Sequence, residues 1–357
     1  MKYKIIKIID KVNTLMTWDK DIVLYLYMNR EFRCFCKHKL EILWRYKGSY
    51  YGFLYKDKVF LNIDSNNTTD ILSLSSGELM ENLPIGFYGR NSYVLDKYCY
   101  GLQVIERNEE ERLIKYNCLK FDIEEKEVIE IHESIYPYEF LLNEREYISM
   151  LHYDKIFRVN FDNNKVIWKY DISALGPFLN DFDVLELPRW DKRKLYNIYI
   201  HNNQLIVTVS KGVFALSLET GQLLWHTDLS FDPLYLSFIN SKGYCRDWEN
   251  FVSINLFTGE ILLQNKYVGF KINGEEIWHV QSYGFVIKAQ KGYFMLDHKG
   301  TSYLLSMNLE DGSVIIETEL GEIKNHVHTE DIRFEGNRLY IRDCASFLYV
   351  YELSDEM

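Results

Sequence analysis

The stretch KNHVHTED places His326 and His328 two residues apart, with Glu330 and Asp331 beside them. On an extended strand, residues two apart share a face, so the two imidazoles, with carboxylates next to them, are the donor types that hold zinc or a related metal. A stable site needs three or four protein ligands in defined geometry, and no third ligand stands at a defensible spacing. The stretch therefore reads as a loop ahead of the last repeat. Cys34 and Cys36 raise the same question, but no matching pair completes a site. With Cys99, Cys118, Cys245 and Cys344 they make six scattered cysteines without a Cys-x-x-Cys, expected as reduced thiols in the core. No Ser/His/Asp set, nucleotide-binding loop or metalloprotease helix is visible, so neither a catalytic residue, a metal nor a cofactor is expected.

Charge gives a stronger signal. The chain carries 41 Lys and Arg against 52 Asp and Glu, a formal net charge of −11, and the acid is localised. Between Val104 and Glu146 stand 13 acidic and 6 basic residues, in runs such as ERNEEER and DIEEKEVIEIHE. Glu109, Glu110, Glu111, Glu124 and Glu125 are the residues of this sector expected to meet a partner. A concentrated negative potential steers a basic protein and repels nucleic acid. The competing reading is a solvated acidic edge that prevents sheet-to-sheet aggregation.

A second candidate is the long insertion ALGPFLNDFDVLELPRWDKRK, residues 174–194. Long ordered loops are where binding residues concentrate, and aromatic anchors dominate interface energetics. Phe178, Phe182 and Trp190 are the expected anchors; the alternative is a loop packed on its own blade.

Whatever positions these residues is built from strands. Aromatics make up 16% of the 357 residues, with 28 Tyr and 21 Phe, and only 5 prolines and 19 glycines are present, which excludes collagen-like and disordered classes. No apolar run reaches the length of a membrane helix. The N-terminal MKYKIIKIIDKVNTLMTW is interrupted by Lys7, Asp10 and Lys11 and reads as no signal peptide, so a soluble cytoplasmic protein is expected.

The strands recur. VFALSLETGQLLW, ending at Trp225, is a strand, a tight turn and a second strand, and versions of it end at Trp44, Glu81, Glu130, Trp168, Leu263 and Ile316, with a poorer one at the C-terminus. Aligned on the turn, Leu40, Gly77, Lys126, Asn164, Gly221, Gly259, Gly312 and Glu356 stand 37 to 57 residues apart, about 45 on average, the period of a four-stranded propeller blade. Glycine recurs because the turn needs positive φ. Two further strand-like runs precede most hairpins, as in KLYNIYIHNN and QLIVTVSKG. The expected fold is all-β: one domain over residues 1–357, an eight-bladed β-propeller of antiparallel four-stranded blades, or seven-bladed if one weak unit is misread. The last unit lacks its fourth strand, and Lys4 to Ile9 is expected to supply it and close the propeller.

Hairpins of the form ALSLETGQLLW resemble the quinoprotein-like propeller repeat, in which a tryptophan four residues after the turn glycine docks between blades. The likeness is good around Trp168 and Trp225, and fair around Gly77, Gly259 and Gly312. It implies the fold. Families sharing the repeat include secreted quinone-dependent alcohol dehydrogenases and an outer-membrane assembly lipoprotein; this chain lacks the adjacent cysteines of the former and an acylation signal for the latter. Trp18-Asp19 and Trp190-Asp191 match the dipeptide of another propeller family but are not placed at its strand ends. Fold does not choose function. The expectation is a bacterial, non-enzymatic protein-binding propeller, in its sharper form an immunity or antitoxin-like protein that caps a basic partner. The alternative is a propeller lyase or hydrolase with a central-channel site.

Overall fold

The computed structural model describes all residues except 1, 28–30, 48–50, 64–67, 87–92, 109–112, 135–139, 144, 152–153, 181–188, 234, 248–249, 267–270, 273, 277–284, 299–300, 322–328, 344 and 355–357. The chain folds as an eight-bladed β-propeller, each blade an antiparallel sheet of four strands. It divides into two compact units. Lys11–Tyr170 holds blades 1 to 4; Asp171–Met357 together with Met1–Asp10 holds blades 5 to 8.

In the first unit, blade 1 occupies residues 12–47, blade 2 residues 51–83, blade 3 residues 93–134 and blade 4 residues 140–171. In blades 1 to 7 the chain runs outward as a meander, from an inner strand to an outer one. Both faces of the second and third strands meet neighbours, so they read as continuous buried runs, as in Ile22–Tyr27 and Glu31–Cys36. The outer strands bury little: Glu41–Lys47 and Lys165–Asp171 share a pattern in which only the central tryptophan, Trp44 or Trp168, is buried. The core lies between blades. One cluster joins Phe32 and Trp44 of blade 1 to Val59, Leu61 and Leu72 of blade 2, and another joins Tyr100 and Cys118 of blade 3 to Tyr147, Phe157 and Phe161 of blade 4.

The second unit repeats the plan with blade 5 at residues 195–228, blade 6 at 235–266, blade 7 at 285–321 and blade 8 at 329–354. Val213, Ala215 and Trp225 pack with Cys245, Val252 and Ile254 across blades 5 and 6. Blade 8 takes its outer strand from the start of the chain: Lys2–Ile9 pairs antiparallel with Leu348–Ser354 through Lys2↔Ser354 and Ile9↔Leu348. The strand anticipated from Lys4 begins two residues earlier.

The recurrent turn has one construction. Gly77, Gly221, Gly259 and Gly312 have φ of 70° to 75°, and Leu40, Lys126 and Asn164 take φ of 51° to 60° at the equivalent position. The N–H of the turn residue returns to the carbonyl four residues back, as in Gly221 to Ser217 at 2.8 Å, and one residue of the outer strand is left over as a bulge. Glu356, the eighth position of the series, lies outside the described residues.

Candidate protein-interaction surfaces

Blade 3 departs from the others. Its second and third strands, Tyr98–Asn108 and Leu113–Asp122, are 11 and 10 residues long, where the matching strands of the other blades have 5 to 8. Among the described residues the inner strand pairs with Tyr98–Tyr100, and the outer strand, Glu127–Ser134, reaches the third strand as far as Tyr116. Past that point Glu106↔Lys115, Arg107↔Ile114 and Asn108↔Leu113 continue, among the described residues, as a two-stranded ribbon. At 3.3 Å per residue the four residues Ile105–Asn108 carry it about 13 Å beyond the described end of the outer strand. Glu109, Glu110 and Glu111 lie outside the described residues, in the segment that joins these two strands.

Glu124 and Glu125 sit at the opposite end of the same strands, in the turn from third to outer strand. Asp122 organises this turn by accepting from the backbone N–H groups of Glu124 (2.9 Å) and Glu125 (3.0 Å). Glu124 is paired: Lys56 Nζ of blade 2 lies at 2.6 Å and the Tyr55 hydroxyl donates to it at 3.1 Å, which holds its carboxyl below the usual range. Lys126 pairs with Glu81 and Lys97 with Asp122, each at 2.6 Å. The acidic sector thus splits, its turn end partly offset by lysines and its ribbon end extended. Counting charge along the sequence missed the contribution of Lys56 because it arrives from another blade.

The 174–194 stretch belongs to blade 5. A short 3-10 helix, Ile172–Leu175, is capped by the Asp171 carboxylate on the Ser173 N–H, and Phe178–Asn180 then pairs with Arg189–Asp191 as a small hairpin, Leu179 opposite Trp190. Phe182 lies outside the described residues. Arg193, which sequence reasoning did not single out, staples the hairpin to the blade. It is buried, and donates to the carbonyls of Gly176 (3.2 Å), Ser210 (2.9 Å) and Lys211 (3.1 Å) and to the Asp228 carboxylate. Its guanidinium lies 5.9 Å from the half-buried Phe178 ring. Lys211, also buried, donates to Ser230 O at 2.7 Å. His226 Nε2 is 3.3 Å from the same Asp228 carboxylate, yet burial and the adjacent Arg193 together hold the imidazole below its ordinary value. Arg193 is one of five charged residues in RWDKRK, and nothing in that run distinguishes it.

The other flagged residues carry less. His326 and His328 lie outside the described residues, while Asp331 accepts from Arg333 Nε at 2.8 Å within blade 8. Cys34 and Cys36 are buried, and burial pushes the Cys34 thiol up to about 12. Among the described residues no group of three or more His, Cys, Asp or Glu side chains is placed to hold a metal ion. Among them, too, no helix is long and apolar enough to cross a membrane. A cleft of about 230 Å³ between blades 6 and 7 is lined by Asn240, Ser241, Lys242, Tyr244, Gln290 and Glu310 among others.

No protein-family model and no curated protein matches this sequence. Solved structures do match. The chain is similar to BamB from Moraxella catarrhalis at 11% identity over 100% of this chain and 99% of that one, with a TM-score of 0.62. It is similar to the C-terminal WD40 domain of Sif2 at 10% identity over 99% of both chains, TM-score 0.61. A europium-containing methanol dehydrogenase aligns at 8% identity over 98% of this chain and 93% of that one, TM-score 0.57. At such identities the likeness establishes the propeller fold, and it spans proteins with and without an enzyme name.

Proposed function

We propose that this chain is a protein-binding propeller without chemistry of its own, and that blade 3 meets a basic partner. The observation that carries this reading is the ribbon: strands of 11 and 10 residues that outrun their blade and flank the run ERNEEER. The cluster packed between blades 3 and 4 holds Tyr100, Leu102 and Cys118 of blade 3, with Tyr116 against it. Concentrated acid gives a long-range field that raises association rates with a cationic surface. The 174–194 hairpin, held on blade 5 by Arg193, is a separate candidate contact in this reading. An immunity or antitoxin-type cap on a basic toxin is its most specific form, supported by the localised charge, and a cytoplasmic setting suits it.

The test is capture of partners by the tagged protein from a native lysate at low and moderate salt, beside a variant with Glu109, Glu110 and Glu111 changed to Lys. The reading expects a stoichiometric basic protein held at low salt, weakened as salt rises, and lost with the variant. A partner held equally by both proteins would exclude the ribbon, and capture of nothing at either salt would exclude the platform.

A further inference from the structure

The outer strand of blade 3 has its own unmet capacity. Glu127–Ser134 pairs with Leu113–Asp122 on one side, its one neighbour in the sheet among the described residues. Its other edge is capped at the far end, where Asn164 of blade 4 donates to Glu133 O at 2.9 Å and accepts from the Ser134 hydroxyl at 2.8 Å; ahead of that cap the edge offers backbone N–H and C=O groups, the template on which an extended segment adds as a further strand. Every blade has such an edge, and natural sheets blunt it with charge, lysine above all. Lys2, Lys4 and Lys7 stand on the outer strand of blade 8, Lys165 and Lys169 on that of blade 4, and Arg45 and Lys47 on that of blade 1. Blades 2, 5 and 7 carry one or two acidic residues and no lysine or arginine on this strand. Blade 3 goes furthest: its outer strand, EVIEIHES, holds Glu127, Glu130 and Glu133 with no lysine or arginine.

Two further observations mark this edge. On other outer strands Glu317 pairs with Lys291 at 3.0 Å, Glu81 with Lys126 at 2.6 Å and Asp228 with Arg193, while Glu319 of blade 7 is exposed with no ion pair among the described residues. Glu127 and Glu133 are exposed and have no ion pair among the described residues. Secondly, the position four residues after the turn, Trp44, Trp168 and Trp225 in blades 1, 4 and 5, is Glu130 here. Val128, Ile129 and Ile131 are exposed on the same strand, Ile131 by 54%, so apolar side chains stand between the carboxylates along an open edge. A second copy of this edge is a poor occupant, because antiparallel pairing would bring glutamates opposite or diagonal to glutamates.

We infer that the outer strand of blade 3 is a strand-addition site for an extended basic segment of another protein, one alternating Lys or Arg with aliphatic residues. The added strand takes main-chain hydrogen bonds from the edge, sets apolar side chains beside Ile129 and Ile131, and sets cations beside Glu127 and Glu133. This deepens the protein-binding reading and rests on it for a biological partner, but the edge is testable alone.

The probe is an acetylated, amidated heptapeptide of alternating Lys and Val, titrated into the full chain with hydrogen exchange read across the protein. Binding with new protection confined to Glu127–Ser134 and the strand beside it is expected. Methylating alternate backbone nitrogens of the peptide on one edge keeps its charge and side chains but removes the ladder, and should weaken binding at least about tenfold, as should the E127K/E133K variant. Equal binding by the methylated peptide would show simple charge attraction and overturn the inference. So would protection elsewhere, no binding, or a protein that already occupies the edge with a second copy of itself. A native partner lost when Glu109, Glu110 and Glu111 become Lys but kept by E127K/E133K would leave the protein-binding reading standing and remove this site.

Discussion

Trp225 in the outer strand of blade 5 lies against Gly259 in the turn of blade 6. Its indole N–H donates to Leu256 O at 2.9 Å, and Thr227, two residues on, donates to Gly259 O at 2.5 Å. A Cβ on Gly259 would stand 2.7 Å from the indole ring. Trp44 repeats the relationship in the other unit, donating to Leu74 O at 2.7 Å beneath Gly77. One glycine thus meets two demands, a left-handed turn and space for the ring of the preceding blade.

Gly259→Ala should therefore cost more than backbone strain. Left-handed φ costs an L-residue about 1–2 kcal/mol, and overpacking against the indole adds about 1–3 kcal/mol. Gly336→Ala is the control, since Gly336 has φ of 56° with open space around it and should show the strain alone. Denaturant unfolding of the two variants checks this; equal losses would contradict the packing account.

Replacing Arg193 should free the 174–194 hairpin without dismantling blade 5. Arg193→Met strands the carbonyls of Gly176 and Ser210, at about 1–3 kcal/mol if they stay buried, while Lys211 O keeps the Leu229 N–H at 2.9 Å. Arg193→Lys should not restore them, because an ammonium cannot span this fork of acceptors. Limited proteolysis within residues 176–192 should accelerate in both variants, while exchange in Gln204–Val209 stays slow.

His226 should make stability fall on mild acidification. Its pKa is lowered in the folded protein, chiefly by burial, so the unfolded chain binds the proton more readily. The contribution is complete above the ordinary value of about 6.5 and is lost as pH drops through the folded value below it. Carboxylates held low, such as Glu317, act only below about 4.5, a separate window. His226→Gln should flatten the stability profile between pH 7 and 5 and leave the acid limb unchanged.

Deleting residues 1–9 should expose the edge of Leu348–Ser354 and remove Tyr3 and Ile5 from the blade 7 and 8 core. Lower cooperativity of unfolding and self-association are expected, and a synthetic peptide of residues 2–9 added in trans should reverse both. Unchanged unfolding would deny the closing strand its role.

Much of this fold could be read from residue order because its unit is local. The turn at Gly221, the strands on either side and the tryptophan four residues on are neighbours in sequence, so the repeat carries its own geometry. Leu40 and Lys126 entered the series by spacing alone, although neither is a residue that favours positive φ. The candidate surfaces were less legible. Arg193 acts through three carbonyls and a carboxylate on different segments, and Lys56 neutralises Glu124 across 68 residues of chain. The length of the blade 3 ribbon was hidden as well, since the acidic run at Glu109 reads equally as a loop or as the end of a long hairpin.

The most direct measurement is hydrogen exchange on the complex with the salt-sensitive partner once it has been captured. The account predicts protection gained within residues 98–134 of blade 3, with the outward edge of Glu127–Ser134 among the protected amides. A footprint that leaves blade 3 unchanged and falls on other blades alone would contradict it.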